Sequence, residues 1–163
     1  MNNNIDFTNE KILNINCENR CVSREVAKKN IINFSKGLIG FEQLKNFIII
    51  INNDIAPFMF LQSLDDDNIN FVCVESFNIK DNYAFNLNEA VTERLELSDM
   101  SEVLLLSIVT ISEDIEKSTA NLLSPIIVNM RTMQAEQIIL DSTMYPVKFN
   151  IWDNINDMQA FAQ

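Results

Sequence analysis

Short apolar runs, broken by Asn- and Asp-rich stretches, dominate the pattern along the chain. Residues 47–51, 57–63 and 69–75 are five to seven residues long and rich in Phe, Val and Ile. They are separated by Asn52-Asn53-Asp54 and Asp65-Asp66-Asp67-Asn68, which reads as consecutive antiparallel strands joined by Asn/Asp turns. In the middle run Phe58, Phe60 and Gln62 alternate with Met59, Leu61 and Ser63, so that strand is apolar on both sides and predicted to be central. Residues 103–111 form the most apolar stretch, predicted to be a buried strand. Pro125 opens a strand at 126–130, residues 131–134 turn, and 135–140 return as the second arm of a hairpin. A short strand is expected at 12–15, and a turn of helix or a loop at 23–30. One amphipathic helix is predicted over 88–97, with Asn88 as cap and Val91 and Leu95 one turn apart. A second short helix is expected from residue 153, where Ile155, Met158 and Phe161 recur at helical spacing. The expectation is an all-β or β-dominant fold, a compact antiparallel barrel-like single domain over 1–163. Its core covers about 31–149, with a polar tail at 1–10.

Composition sharpens this picture. The only glycines in the 163 residues are Gly37 and Gly40, so the other tight turns fall to Asn and Asp. There is no histidine, hence no imidazole base or ligand, and two glycines cannot make a phosphate-cradling loop. No apolar run reaches the roughly 20 residues needed to cross a bilayer. The start lacks a basic-then-apolar leader, so the expected location is the cytoplasm. Cys17, Cys21 and Cys73 are an odd number, which fits free thiols. Cys17 and Cys21 could share one helical face, but a structural zinc site wants four ligands, and no metal or other cofactor is expected.

Charge is unevenly spread. The net charge is −11, and residues 65–116 carry all of it, with thirteen acids against two bases. Such a surface repels nucleic acid and attracts basic partners. The acids Asp65, Asp66, Asp67, Asp81, Glu89 and Glu93, in a face reaching on to Glu102, are the candidates for partner binding. Asp65 to Asp67 lack the calcium-loop pattern and read as a hairpin turn. Cys73, inside the alternating run 71–74, reads as a core residue and not a nucleophile.

Five stretches in order resemble one family. Phe34-Ser35-Lys36-Gly37-Leu38-Ile39-Gly40-Phe41-Glu42 resembles the F-x-x-G-L-P-G-F-E signature of the flagellar assembly factor FliW family. Pro57-Phe58-Met59-Phe60-Leu61-Gln62-Ser63 is similar to its P-F-x-x-L-Q-S strand, and residues 71–77 with Tyr83 and Phe85 to its F-V-x-x-x-x-F and Y-x-F stretch. Thr119-Ala120-Asn121-Leu122, Pro125-Ile126 and Asn129 resemble T-x-N-L-x-x-P-I-x-x-N, and Ala135 with residues 137–140 resembles A-x-Q-V-I-L. Ile39 departs from the signature's proline, which frees one φ angle and is expected to loosen that turn.

The resemblance implies a non-enzymatic cytoplasmic protein, monomeric when unbound. It implies two alternative partners, flagellin and the RNA-binding translational repressor CsrA, whose capture relieves repression of flagellin synthesis. Neither direct nucleic-acid binding nor a membrane is implied. An apolar site for flagellin's amphipathic helices is expected near exposed aromatics, with Phe77 and Tyr83 as candidates. Gly37, Gly40, Phe41, Gln62, Asn121, Leu122, Pro125 and Asn129 are expected to be structural. Two competing classes stand beside this reading. One is a β-barrel small-ligand carrier, which needs an internal cavity. The other is a carboxylate hydrolase, which needs two acids converging in a cleft.

Overall fold

The computed structural model describes residues 11–17, 20–26 and 28–155. Two strands, β1 (Lys11–Cys17) and β2 (Arg20–Val26), pair antiparallel as a separate hairpin. Cys17 and Cys21 therefore sit on facing strands and not on one helix. The segment expected as loop or helix at 23–30 is strand as far as Val26, followed by a single 3-10 turn, Lys28–Asn30. Facing-strand pairing with 11–17 outweighs the weak local helical pattern there.

The remaining strands are β3 (Ile32–Phe34), β4 (Asn46–Ile51), β5 (Met59–Ser63), β6 (Asn70–Glu75), β7 (Val103–Thr110), β8 (Thr119–Ala120), β9 (Ile126–Asn129), β10 (Gln134–Gln137) and β11 (Phe149–Asn150). Their order is β11-β8-β7-β6-β5-β4-β3-β10-β9, and β9 also pairs with β7. That pairing, Val103 opposite Asn129 through Leu106 opposite Ile126, closes a seven-stranded barrel from β3, β4, β5, β6, β7, β9 and β10. Closure removes the exposed edges that an open sheet would present. All barrel pairings are antiparallel except β3 with β10, which is parallel and two residues long. Three short helices complete the described chain: α1 (Ser76–Ile79), α2 (Glu89–Arg94) and α3 (Trp152–Ile155).

Strand alternation builds one core inside the barrel and further buried clusters on the outer faces of the same strands. Phe34, Phe47, Leu61, Cys73, Leu106, Ile126, Val128 and Ala135 fill the barrel interior, with Phe34 edge-on to Phe47 at 5.1 Å between ring centres. Seven tilted strands leave an interior that side chains of this size can fill. The neighbours of these residues point outward, and Val74, Leu105, Val109 and Ile127 form a second core with Tyr83, Val91, Leu95 and Leu122. This second layer explains why β7 and β9 are apolar at successive positions instead of alternating with polar residues.

Candidate functional site

Among the residues of the G-L-x-G-F-E turn, Gly37 and Gly40 both have positive φ, 73° and 83°. A β-carbon on Gly37 would stand 2.6 Å from the Glu42 Cα, whereas one on Gly40 meets nothing within 4 Å. Leu38 is buried in the barrel core, and Phe41 packs edge-on against Phe71 at 5.1 Å. The Glu42 carboxylate accepts the Gly40 N–H at 2.9 Å, and backbone N–H bonds hold its pKa below the ordinary value. Ile39 stands where the family signature has proline. Its N–H, which a proline would lack, donates to Gln137 Oε1 at 3.0 Å and docks the turn on β10.

Beside that contact lies a carboxylate that the motif reading passed over. Glu136 on β10 is 6% exposed and receives Lys36 Nζ at 2.9 Å together with a two-pronged contact from Arg94, Nε at 3.0 Å and a terminal nitrogen at 2.8 Å. The Arg94 guanidinium, and after it the Lys36 ammonium, hold the Glu136 carboxyl below its usual range against the opposing effect of burial. One charge thus ties the glycine turn, β10 and α2 together. The clue in the sequence was an acid within an apolar return strand, with bases far away at 36 and 94.

Gln62 and Ser63 build the acidic turn. The Gln62 side-chain amide donates to the carbonyls of Ser63, Asp67 and Ile69, while Ser63 Oγ accepts the N–H groups of Asp65 and Asp66 at 3.1 Å. Asp65 in turn accepts the N–H groups of Lys45 and Asn46 at 2.6 and 2.8 Å. Its carboxylate is therefore committed to joining this turn to β4. Asp66 accepts the Asn68 N–H at 3.0 Å, and Asp67 is exposed.

The other motif polar groups are also bound within the fold. Asn121 Oδ1 accepts the N–H groups of Leu123 and Ser124, Leu122 is fully buried, and the Pro125 carbonyl accepts the Ile138 N–H. Asn129, fully buried, donates to the carbonyls of Leu95 and Glu96 and so closes the C-terminal end of α2. Arg131 adds a bond to the Glu96 carbonyl and a 2.9 Å ion pair with Glu102.

The two aromatic candidates part company. Phe77 on α1 is 52% exposed. Tyr83 is 2% exposed, packs on Phe85 and Tyr145, and donates its hydroxyl to the Leu122 carbonyl. It is a core residue, because the second hydrophobic layer over β7 and β9 needs a large ring there and the hydroxyl finds a carbonyl inside it. The acids likewise do not form one continuous face. The turn carrying Asp65, Asp66 and Asp67 precedes β6 and Asp81 follows it beyond α1, so a six-residue strand of about 20 Å separates them. Glu89 and Glu93 are exposed on α2, and Asn88 caps that helix by accepting the Ala90 N–H at 2.8 Å.

Burial pushes the Cys73 thiol up to about 12, which keeps it protonated and unreactive at neutral pH. No group of three or more acids and cysteines with metal-binding geometry occurs among the described residues. No helix among them is long and apolar enough to cross a membrane. The interior that a carrier would need open is filled by the residues of the barrel core. These features define a class: a small closed β-barrel with a packed interior, whose accessible chemistry lies on its surface.

Comparison with known proteins gives the particular family. Residues 17–151 match the family described as FliW protein. The chain is 39% identical over 132 residues to a flagellar assembly factor FliW of Caldicellulosiruptor bescii, covering 81% of this chain and 86% of that one. It is 39% identical over 126 residues to the protein of the same description from Bacillus subtilis, covering 77% and 88%. A crystal structure of a flagellar assembly factor FliW superposes with a TM-score of 0.77 at 27% identity, over 88% of this chain and 97% of that one. The chain belongs to the FliW family of flagellar assembly factors, a non-enzymatic family.

Proposed function

We propose that this protein binds flagellin as a chaperone-like partner and, when free of it, captures the RNA-binding repressor CsrA and relieves repression of flagellin synthesis. It does so in the cytoplasm, as a monomer when unbound and as one domain. Membership of the FliW family supports the link to the flagellum. The observation that carries the repressor half of the reading is charge. A body of net charge −11 is drawn to a basic RNA-binding surface and, once bound there, repels the phosphates that the surface would otherwise hold. Asp67, Asp81, Glu89 and Glu93 are exposed and suited to that encounter. Asp65 serves the turn instead. Phe77, the exposed member of the aromatic pair, is a candidate contact for flagellin.

Competition between purified components tests the reading. Immobilised protein should retain flagellin alone and CsrA alone, and added flagellin should release bound CsrA. Retention of neither would end it.

A further inference from the structure

An accessible apolar surface lies beside α2, where Phe85 meets the return-strand residues Ile138, Ile139 and Leu140. Two depressions, of about 220 and 410 Å3, meet at Phe85 and Asn86. The smaller is walled by Leu87, Leu97 and Met100, the larger by Val91, Ile138, Ile139, Leu140 and Met144. Met100 and Ile139 are each 68% exposed and Met144 is 48% exposed, and it is their grouping around one surface, more than the exposure of each, that marks it.

We propose that these depressions together form the docking surface for an amphipathic helix of a partner protein, one that carries Lys or Arg beside its apolar stripe. The inference rests on the reading that this protein acts by binding other proteins, and it adds where and what kind of segment. Shape favours an extended occupant. The apolar walls are too exposed to enclose a small molecule, which normally loses most of its surface to its pocket, whereas a helix 10 to 12 Å across can lie over Phe85 and reach into both hollows.

Charge complementarity sets the flanks. Among the described residues no Lys or Arg lines either depression, while Asp99 lines one and Asp141 the other. Each of these carboxylates accepts backbone N–H bonds from its own turn, Ser101 to Asp99 at 2.8 Å and Thr143 to Asp141 at 2.9 Å. Between them α2 exposes Glu89 and Glu93. The neighbouring base Arg94 is already bound to Glu136, so it does not neutralise the rim. Two methionines at the margin give the surface flexible apolar side chains that can close around the helix's apolar stripe.

The probe is a synthetic helical peptide of about 18 residues, or five turns, with a Leu stripe flanked by Lys, and a second peptide in which Glu replaces every Lys. Fluorescence anisotropy with the full chain should show the Lys peptide binding and the Glu peptide binding at least tenfold more weakly. The double variant Ile139→Asp, Met144→Asp should weaken the Lys peptide about tenfold or more. These positions are exposed, so folding is expected to be kept, and circular dichroism checks it. Ile51→Asp, also at an exposed position and outside the lining of both depressions, should bind as the wild type does. Equal binding of the two peptides, wild-type affinity in the double variant, or equal loss in Ile51→Asp would each overturn the inference. Retention of flagellin and CsrA by the same variants separates the two readings. A wild type that retains neither protein, yet binds the Lys peptide through Ile139 and Met144, defeats the proposed function and upholds the groove. A double variant that holds peptide and both proteins as well as the wild type defeats the groove and upholds the proposed function.

Discussion

Glycine at 37 and glycine at 40 answer to different physical demands, although both occupy the left-handed region. At Gly40 only the backbone conformation excludes a side chain, and Gly40→Ala should cost about 1 kcal/mol. At Gly37 the added carbon also collides with the backbone of Glu42, which cannot swing away, so Gly37→Ala should cost about 3 kcal/mol or more. Urea unfolding of the two variants gives the comparison, and equal costs would refute the steric account. Glu136 carries a pH signature. Its pKa is held below the usual carboxylate value, so its ion pairs stabilise the fold fully above that value. The contribution is lost as the pH falls through the lowered, folded-state pKa. Because Arg94 and Lys36 are 40% and 58% exposed, Glu136→Gln should cost only about 1 to 3 kcal/mol at pH 7. The gap between variant and wild type should close under acid, as read by urea unfolding at neutral pH and near pH 3.

Helix α2 shows how an element too short to be stable alone is made by its neighbours. Six residues give little helical stability in water, and propensity alone does not hold them. Asn88 closes one end, while Val91 and Leu95 anchor one side in the outer core. Asn129 and Arg131 satisfy the carbonyls at the other end, and Arg94 fastens the helix to β10. Asn129→Ala takes the donor from the buried Leu95 carbonyl and leaves the Glu96 carbonyl with Arg131 alone, and should cost about 1 to 3 kcal/mol. Hydrogen exchange should speed up over residues 91–97 more than in β4 and β5. Asn88→Ala should cost about 1 kcal/mol, the ordinary loss of a cap. Equal exchange across the barrel in Asn129→Ala would mean that this side chain stabilises the whole fold and not the helix in particular.

At the scale of the whole molecule the barrel acts as a rigid support, and the asymmetry of charge becomes a kinetic property. Electrostatic steering by an anionic surface raises the association rate with a basic partner and fades as salt shortens the Debye length from about 10 Å at 0.1 M. Asp67, Glu89 and Glu93 are exposed, and their side chains make no ion pair among the described residues. Reversing these three to Lys should therefore slow association with CsrA about tenfold at low salt and flatten its salt dependence, with little change in folding stability. Stopped-flow mixing at two ionic strengths measures both quantities. An unchanged rate and slope would remove steering from the account.

Period-two alternation, Asn/Asp turns and the five family stretches were enough to predict the β-dominant fold, the strands at 47–51, 57–63, 69–75 and 103–111, and the capped helix after Asn88. Those are local properties, set by which residues fit a pleat, a turn or a helix end. The closing of β9 onto β7 was decided by the tertiary structure, as were the burial of Tyr83, the commitment of Asp65 to β4, the meeting of Glu136 with Lys36 and Arg94, and the apolar hollows around Phe85. Each depends on contacts between residues distant in the chain. A side chain's chemistry shows in the sequence; whether it faces water, a carbonyl or an opposite charge depends on what the fold brings beside it.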